Sequence, residues 1–169
     1  MDVSVVIVSY NTAKLTAACL ESVFASQRVS YEVFVVDNAS KDGSAESIRK
    51  KFSAVKVIAN DTNRGFGAAN NQALCDCSGR HVVFLNPDTT AEPESLIQMM
   101  SFMDAHPEVG LAGPKVLNTD GSRQDSVSYR YPGHRYGAKD IEPLPGEIEY
   151  CLQRCQTNRK PWKKWQDTG

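Results

Sequence analysis

"VSVVIVSY", residues 3–10, decides the fold. Its β-branched residues run on without alternating with polar ones, the pattern of a strand buried on both faces. Such strands belong to parallel sheets, in which every strand is followed by a covering helix. The next residues supply one. Asn11 and Thr12 are candidate caps, and Leu15, Cys19, Leu20 and Val23 follow at helical spacing.

The same alternation continues downstream. "YEVFVVD" (31–37) reads as a second strand, and Asp42, Gly43 and Ser44 open a helix to about Phe52 with Ile48 and Phe52 on one face. "VKVIAN" (55–60) is a third strand, leading through the Gly-rich "NRGFGAANNQALCDC" into a third helix. "HVVFLN" (81–86) is a fourth strand, followed by a helix from about Pro93 to Ala105. "VGLAGPKVL" (109–117) reads as a strand interrupted by its Gly-Pro, and "NTDGSRQ" carries the Asp-Gly signal of a hairpin. This order predicts an α/β fold: an open, doubly wound, mostly parallel sheet flanked by helices. From Tyr129 onward Pro, Gly and charge dominate, and periodicity fades.

In such sheets ligands bind outside the carboxyl ends of the strands, where strand order reverses. The residues to inspect are therefore Ser9, Tyr10 and Asn11; Asp37 and Asn38; Asn60 to Gly67; and Asn86, Pro87 and Asp88. Each has a plain structural reading as a cap or turn residue. Together they offer the parts that hold a nucleoside diphosphate. An aromatic face stacks on a base, a carboxylate accepts an N–H from a pyrimidine, and a second carboxylate binds a divalent cation bridging phosphates. "GFGAAN" (65–70) is also a near match to the dinucleotide fingerprint, with Asp88 at the distance of a ribose-binding acid. However, Asn70 replaces the third Gly and the motif follows the third strand rather than the first.

Composition narrows the class. The chain has 169 residues and a formal net charge of −1, which suits one domain and gives no support for nucleic-acid binding. No apolar run reaches the roughly 20 residues of a membrane span, and the first ten residues lack the features of a signal peptide. The five cysteines fit neither a disulfide framework nor a zinc site, so reduced thiols and a cytoplasmic location are expected. The basic end "NRKPWKKWQDTG" reads as a solvated tail, with docking on the inner face of an anionic membrane as the alternative.

Five ordered blocks, "VSVVIVSYNTAKLTAACLESV", "FVVDNASKDGSAE", "NRGFGAANNQAL", "FLNPDTT" and "AHPEVGLAGPKVLNTDGS", resemble the N-terminal half of family 2 glycosyltransferases, most of all rhamnosyltransferase-like enzymes of polysaccharide assembly. The resemblance covers about residues 3–124. It implies the Rossmann-like GT-A fold and a UDP- or dTDP-sugar donor. It also implies Mg²⁺ or Mn²⁺, inversion at the sugar carbon, and a polysaccharide or lipid-linked acceptor. Residues 1–124 would form the donor-binding domain and 125–169 an irregular segment in which the acceptor half is missing.

By the same resemblance Tyr10 packs on the pyrimidine, Ser9 lines its pocket beside Asn11, and Asp37 hydrogen-bonds the base. Asn63 and Gly65 to Asn70 lie beside nucleotide and ribose, and Asp88 is the metal ligand that ends the family's D-x-D motif. Asn86 stands where that motif has its first Asp. Mg²⁺ is commonly held by one or two protein carboxylates plus phosphates and waters, so Asp88 can serve once a donor brings its diphosphate. No residue is assigned as the general base. Asp125, Asp140, Glu142, Glu147 and Glu149 have no family context. Two other readings stay open here: a non-catalytic nucleotide-sugar or partner-binding module, and a dinucleotide enzyme using "GFGAAN".

Overall fold

A computed structural model describes residues 1–124 and 148–151. The chain divides into two compact units, Met1–Ser101 and Phe102–Gly169.

The first unit alternates strand and helix as its sequence predicts. Its elements are β1 (Val3–Ser9), α1 (Ala13–Phe24), β2 (Tyr31–Asp37), α2 (Ser44–Lys51), β3 (Val55–Ala59), α3 (Phe66–Leu74) and β4 (His81–Leu85), followed by α4 (Ser95–Ala105), which continues into the second unit. The four strands form one parallel sheet in the order β3-β2-β1-β4. β1 is central and wholly buried, as its β-branched run requires. On one face Val3, Val5, Ile7, Val33 and Val35 pack with Cys19, Leu20 and Val23 of α1, Ile48 of α2 and Leu96 of α4. On the other face Val6, Val8, Phe34 and Val36 pack with Ala69 and Ala73 of α3. Small residues on α3 let that helix lie close to the sheet.

Two details depart from the sequence reading. Leu15, expected on the core face of α1, is exposed, and Thr16 is buried in its place. Neither Asn11 nor Thr12 caps α1 through its side chain. The Ala13 N–H donates instead to Asp42 Oδ2 at 3.0 Å, while Asp42 Oδ1 accepts from the backbone N–H and hydroxyl of Ser44. One carboxylate thus serves the N-termini of α1 and α2, and these bonds, led by that of the Ser44 hydroxyl, hold its pKa below the ordinary value. Among the described residues β4 is the outer strand beside β1; its Phe84 stays 48% exposed, next to Val6 in the register, while Val83 and Leu85 pack against the opposite core.

At the amino ends of the strands a second polar knot closes the sheet. Buried Glu32 accepts from Ser4 Oγ (2.7 Å), Ser78 N–H (2.6 Å), Ser78 Oγ (2.8 Å) and Lys56 Nζ (2.8 Å). Burial pushes its carboxyl up, but the bonds from Lys56, Ser4 and Ser78 outweigh that and hold it at about 2. Gly79 passes so close to β1 that a Cβ there would lie 2.4 Å from the Ser4 nitrogen.

In the second unit β5 (Leu111–Pro114) pairs antiparallel with β6 (Ile148–Cys151). The strand read at 109–117 is therefore four residues long and ends at its Gly-Pro. The hairpin read at "NTDGSRQ" is present: Leu117 and Arg123 form an antiparallel bridge, and the Gly121 N–H donates to the Asn118 carbonyl at 2.9 Å. The tail and membrane-docking readings of the C-terminal segment lie outside the described residues.

Candidate functional site

Strand order reverses between β1 and β4, because β2 and β3 were laid on one side of β1 and β4 on the other. A ligand crevice is expected at the carboxyl ends on either side of that point. Ser9 pairs with Asp37 and Ile7 with Leu85, so the loops after β1, β2 and β4 leave the sheet at nearly one level. With neighbouring strands about 4.8 Å apart, Asp37 and the residues after β4 stand two strands, or about 10 Å, from each other. That matches the reach from a nucleobase to its diphosphate.

Asp37 is the most telling residue of the set. It is only 3% exposed, and its Oδ2 accepts the Ser40 N–H at 3.0 Å. Its Oδ1 is buried and has no hydrogen-bond partner among the described residues. A buried carboxylate oxygen with no donor is costly to leave unmade, and it fits a ligand that brings an N–H. Tyr10, one residue past the position paired with Asp37, is 49% exposed at the carboxyl end of β1. Ser9 lies beneath them, fully buried, with its hydroxyl bonded to Thr12 and Thr16.

The turns that carry these groups are tightly determined. Asn11 has φ 55 and Ala39 φ 66, unusual for non-glycine residues. Asn11 is held by its N–H to Ser40 Oγ (2.9 Å) and by the Lys41 N–H to its Oδ1 (2.8 Å). The loops after β1 and β2 therefore support one another. Beyond β2, Asn38 donates from Nδ2 to Asn63 Oδ1 at 2.7 Å, and its own Oδ1 accepts Asn60 Nδ2 (3.2 Å) and the Arg64 N–H (2.9 Å). Asn60 and Gln72 exchange a reciprocal pair of amide bonds of 2.8 and 2.9 Å. Gly65 adopts φ 80, ψ 162, a backbone region essentially reserved for glycine, and starts α3. Asn70 is buried on α3, donating to the Phe66 carbonyl at 3.0 Å, and its Oδ1 is a second buried acceptor without a partner among the described residues.

Asn86 and Asp88 follow β4, and neither is buried. Burial, and then the nearby Asp88 charge, push the Cys19 thiol up to about 11, so this buried cysteine stays protonated and inert at neutral pH. Among the described residues no three carboxylate, imidazole or thiol side chains converge into a cation site. Asp88 therefore fits Mg²⁺ or Mn²⁺ only as one ligand of a set that a diphosphate completes.

Sequence reasoning places Tyr10, Asp37, Asn86 and Asp88 along one rim, and the strand register brings them there. It gives too little weight to Asn38 and Asn60, and it misses Gln72 entirely. The amide-rich spacing of Asn60, Asn63, Asn70 and Gln72 is the available signal.

A parallel sheet of this order, flanked by helices and with polar residues at the carboxyl ends on either side of its switch point, defines an open α/β protein. The model of the glycosyl transferase family 2 matches residues 4–163, and the chain belongs to that family, with the GT-A fold. The match runs past residue 124, where the resemblance carried by motifs ends. The chain is 33% identical over 122 residues to the succinoglycan biosynthesis protein ExoO of Rhizobium meliloti, covering 71% of this chain and 35% of ExoO. It is 28% identical to a putative teichuronic acid biosynthesis glycosyltransferase, TuaG of Bacillus subtilis, over 93% of this chain and 64% of TuaG. Among solved structures it is similar to S. aureus TarS in complex with UDP (TM-score 0.58, 29% identity, 69% of this chain and 34% of that one). It is likewise similar to the mannosyltransferase PcManGT from Pyrobaculum calidifontis in complex with GDP-Man and Mn²⁺ (TM-score 0.63, 28% identity, 69% and 35%). The chain thus spans between about a third and two thirds of the length of these relatives. No helix among the described residues is long and apolar enough to cross a membrane.

Proposed function

We propose that residues 1–124 are the donor-binding part of an inverting glycosyltransferase of polysaccharide assembly, which takes a UDP- or dTDP-sugar together with Mg²⁺ or Mn²⁺. The observation that carries this reading is the buried Asp37 Oδ1, which has no partner among the described residues and stands at the switch-point rim beside the exposed Tyr10 ring. Uracil and thymine each present a ring N–H that supplies the missing donor, and Tyr10 supplies the stacking face. Family membership and the UDP and GDP-Man complexes of similar proteins support a nucleotide-sugar at this rim.

Each residue then has a physical task. Asp37 orients the base and Tyr10 covers it. Asn63, Gly65 and Asn70 line the ribose side. Asn86 contributes an uncharged hydrogen-bonding group near the sugar-phosphate, and Asp88 holds the cation. The cation, when bound, neutralises the charge that develops on the leaving diphosphate. An acceptor hydroxyl must lose its proton as it attacks. Residues 1–124 offer no carboxylate with a family context for that step, and we assign no general base. The acceptor would be a growing glycan or a lipid-linked saccharide, and the protein would work in the cytoplasm.

The test is calorimetric titration of the full chain with UDP, dTDP, GDP and NADH, each with and without Mn²⁺, beside an assay of nucleotide release from donor sugars. Binding of UDP or dTDP that strengthens with Mn²⁺, with no NADH binding, is the expected result. Failure of every nucleoside diphosphate to bind would overturn the reading. NADH binding alone would reinstate the dinucleotide alternative. Robust acceptor-dependent transfer would place a general base after Gly121.

A further inference from the structure

We infer that Asn38 is a positioning residue for nucleotide binding: it is the hub of an amide chain that locks the Asn60–Gly65 turn beside Asp37. The inference rests on the donor-binding reading above, and it assigns a task to a side chain that reading does not use.

The chain of bonds has one allowed direction. Two backbone N–H groups anchor it, since a backbone nitrogen only donates. The Gly65 N–H points at Asn63 Oδ1 (2.9 Å), which orients the Asn63 amide. The Arg64 N–H points at Asn38 Oδ1 (2.9 Å), which orients the Asn38 amide. With both oxygens so placed, Asn38 Nδ2 must donate to Asn63 Oδ1, and it does at 2.7 Å. Asn60 Nδ2 must then donate to Asn38 Oδ1, and that amide closes on Gln72 of α3. Asn38 is itself only 3% exposed, and its backbone N–H donates to the Ser9 carbonyl at 2.8 Å, extending the ladder between β1 and β2 by one residue.

Only an amide of this length both donates and accepts at position 38. Its three side-chain bonds join the ends of β2 and β3 to the turn before α3, and its backbone N–H adds the link to β1. They hold Arg64 and Gly65 in a turn whose backbone only glycine tolerates at its second residue. Among the described residues no donor reaches the free Asp37 oxygen, so the network acts on the ligand through geometry and not by contact.

A carboxylate tests this, because protonation restores what ionisation removes. Asn38→Asp at about pH 7.5 sets an anionic oxygen against Asn63 Oδ1, and protonation restores an O–H donor in the amide's place. Burial raises the pKa of such a carboxyl while the Asn60 and Arg64 donors lower it, and protonation sets in as pH falls. UDP affinity of Asn38→Asp, measured by calorimetry with saturating Mn²⁺, should fall about tenfold relative to the parent at pH 7.5 and return to within about threefold at pH 5. Dividing by the parent's affinity at each pH removes the titration of the ligand. Asn38→Ala should show the loss with no recovery. Gln72→Ala, at the accessible end of the chain, retains the core and should weaken UDP by about threefold if Asn38→Asp fails to fold. Parent-like affinity in folded Asn38→Asp and Asn38→Ala would overturn the inference. If Asn38→Asp does not fold, parent-like affinity in Gln72→Ala would do the same. If the parent chain binds no nucleoside diphosphate, the donor-binding reading falls first and takes this inference with it, a result distinguishable from the others.

Discussion

Replacing Asp37 by an asparagine should move affinity and stability in opposite directions. In the native site the Ser40 N–H occupies Oδ2 at 3.0 Å, while Oδ1 is buried and receives nothing from the described residues. The amide that Asp37→Asn introduces would keep its oxygen toward Ser40, because that backbone nitrogen can only donate. Its NH₂ would then stand where the free oxygen stood. A base N–H arriving there meets a donor in place of an acceptor, leaving two buried donors facing each other. Leaving a buried polar partner unsatisfied costs about 1–3 kcal/mol, or about 5- to 150-fold in affinity for UDP or dTDP. The empty protein gains instead. An under-satisfied buried anion is removed, and a site optimised in this way commonly yields about 0.5–2 kcal/mol. At about 2–4 °C per kcal/mol the melting temperature should rise by a few degrees. Calorimetry with saturating Mn²⁺ and thermal denaturation without ligand read the two effects separately. Affinity within about twofold of the parent in a folded variant would refute the reasoning, because the free oxygen then does not meet the ligand, and a fall in melting temperature would refute its stability half.

Three other outcomes are expected. Asp88→Asn should abolish the Mn²⁺-dependent part of nucleoside diphosphate affinity while leaving the metal-free part, and Asn86→Asp should tighten Mn²⁺ binding by adding an anionic ligand; titrations with and without metal check both, and a parent affinity indifferent to Mn²⁺ counts against Asp88. Glu32, held at about 2, contributes stability that is complete above the ordinary carboxylate value and is lost as pH falls from about 4.5 toward 2. Urea unfolding of Glu32→Gln should therefore show about 1–3 kcal/mol less stability at neutral pH and a flatter acid limb than the parent, whereas identical acid limbs would remove Glu32 as a source of pH dependence. Gly79→Ala drives a methyl into the β1 backbone and should cost about 1–3 kcal/mol in the same assay, with no loss showing that the strands part easily at this point.

The sheet was legible because its determinants are local. β-branched runs at 3–10 and 31–37 and the helical spacing of Cys19, Leu20 and Val23 each lie within a few residues, and the strands and helices form where those patterns stand. What was hidden depends on partners distant in sequence. The capping group of α1 lies 29 residues from Ala13. Leu15 fits the helical period as well as Thr16 does, and only the packing of α1 on the sheet selects between them. The exposure of Phe84 on β4 likewise depends on the fold, because α3 packs over β1 and β2. At the rim, Asp37 and Asp88 were visible as carboxylates after strands. The amide chain through Asn38 was not, because Asn in a loop reads first as a turn residue and only the fold shows which oxygens two backbone nitrogens have claimed.

The shared cap of Asp42 bears on the order in which the chain acquires structure during synthesis. A ribosome delivers residues at about 5–20 per second, N-terminus first. β1 and α1 are both complete by Phe24, yet the Ala13 nitrogen must wait for residue 42 before it finds its carboxylate. An isolated helix of 12 residues is marginal in water, so the first β-α unit remains provisional as it leaves the exit tunnel. When Asp42 arrives it binds the Ala13 and Ser44 nitrogens together, and it does so only once β2 has been laid beside β1. The first two β-α units therefore mature in one step, and a nascent chain arrested before residue 42 would expose the apolar face of α1 to whatever chaperone waits at the tunnel mouth.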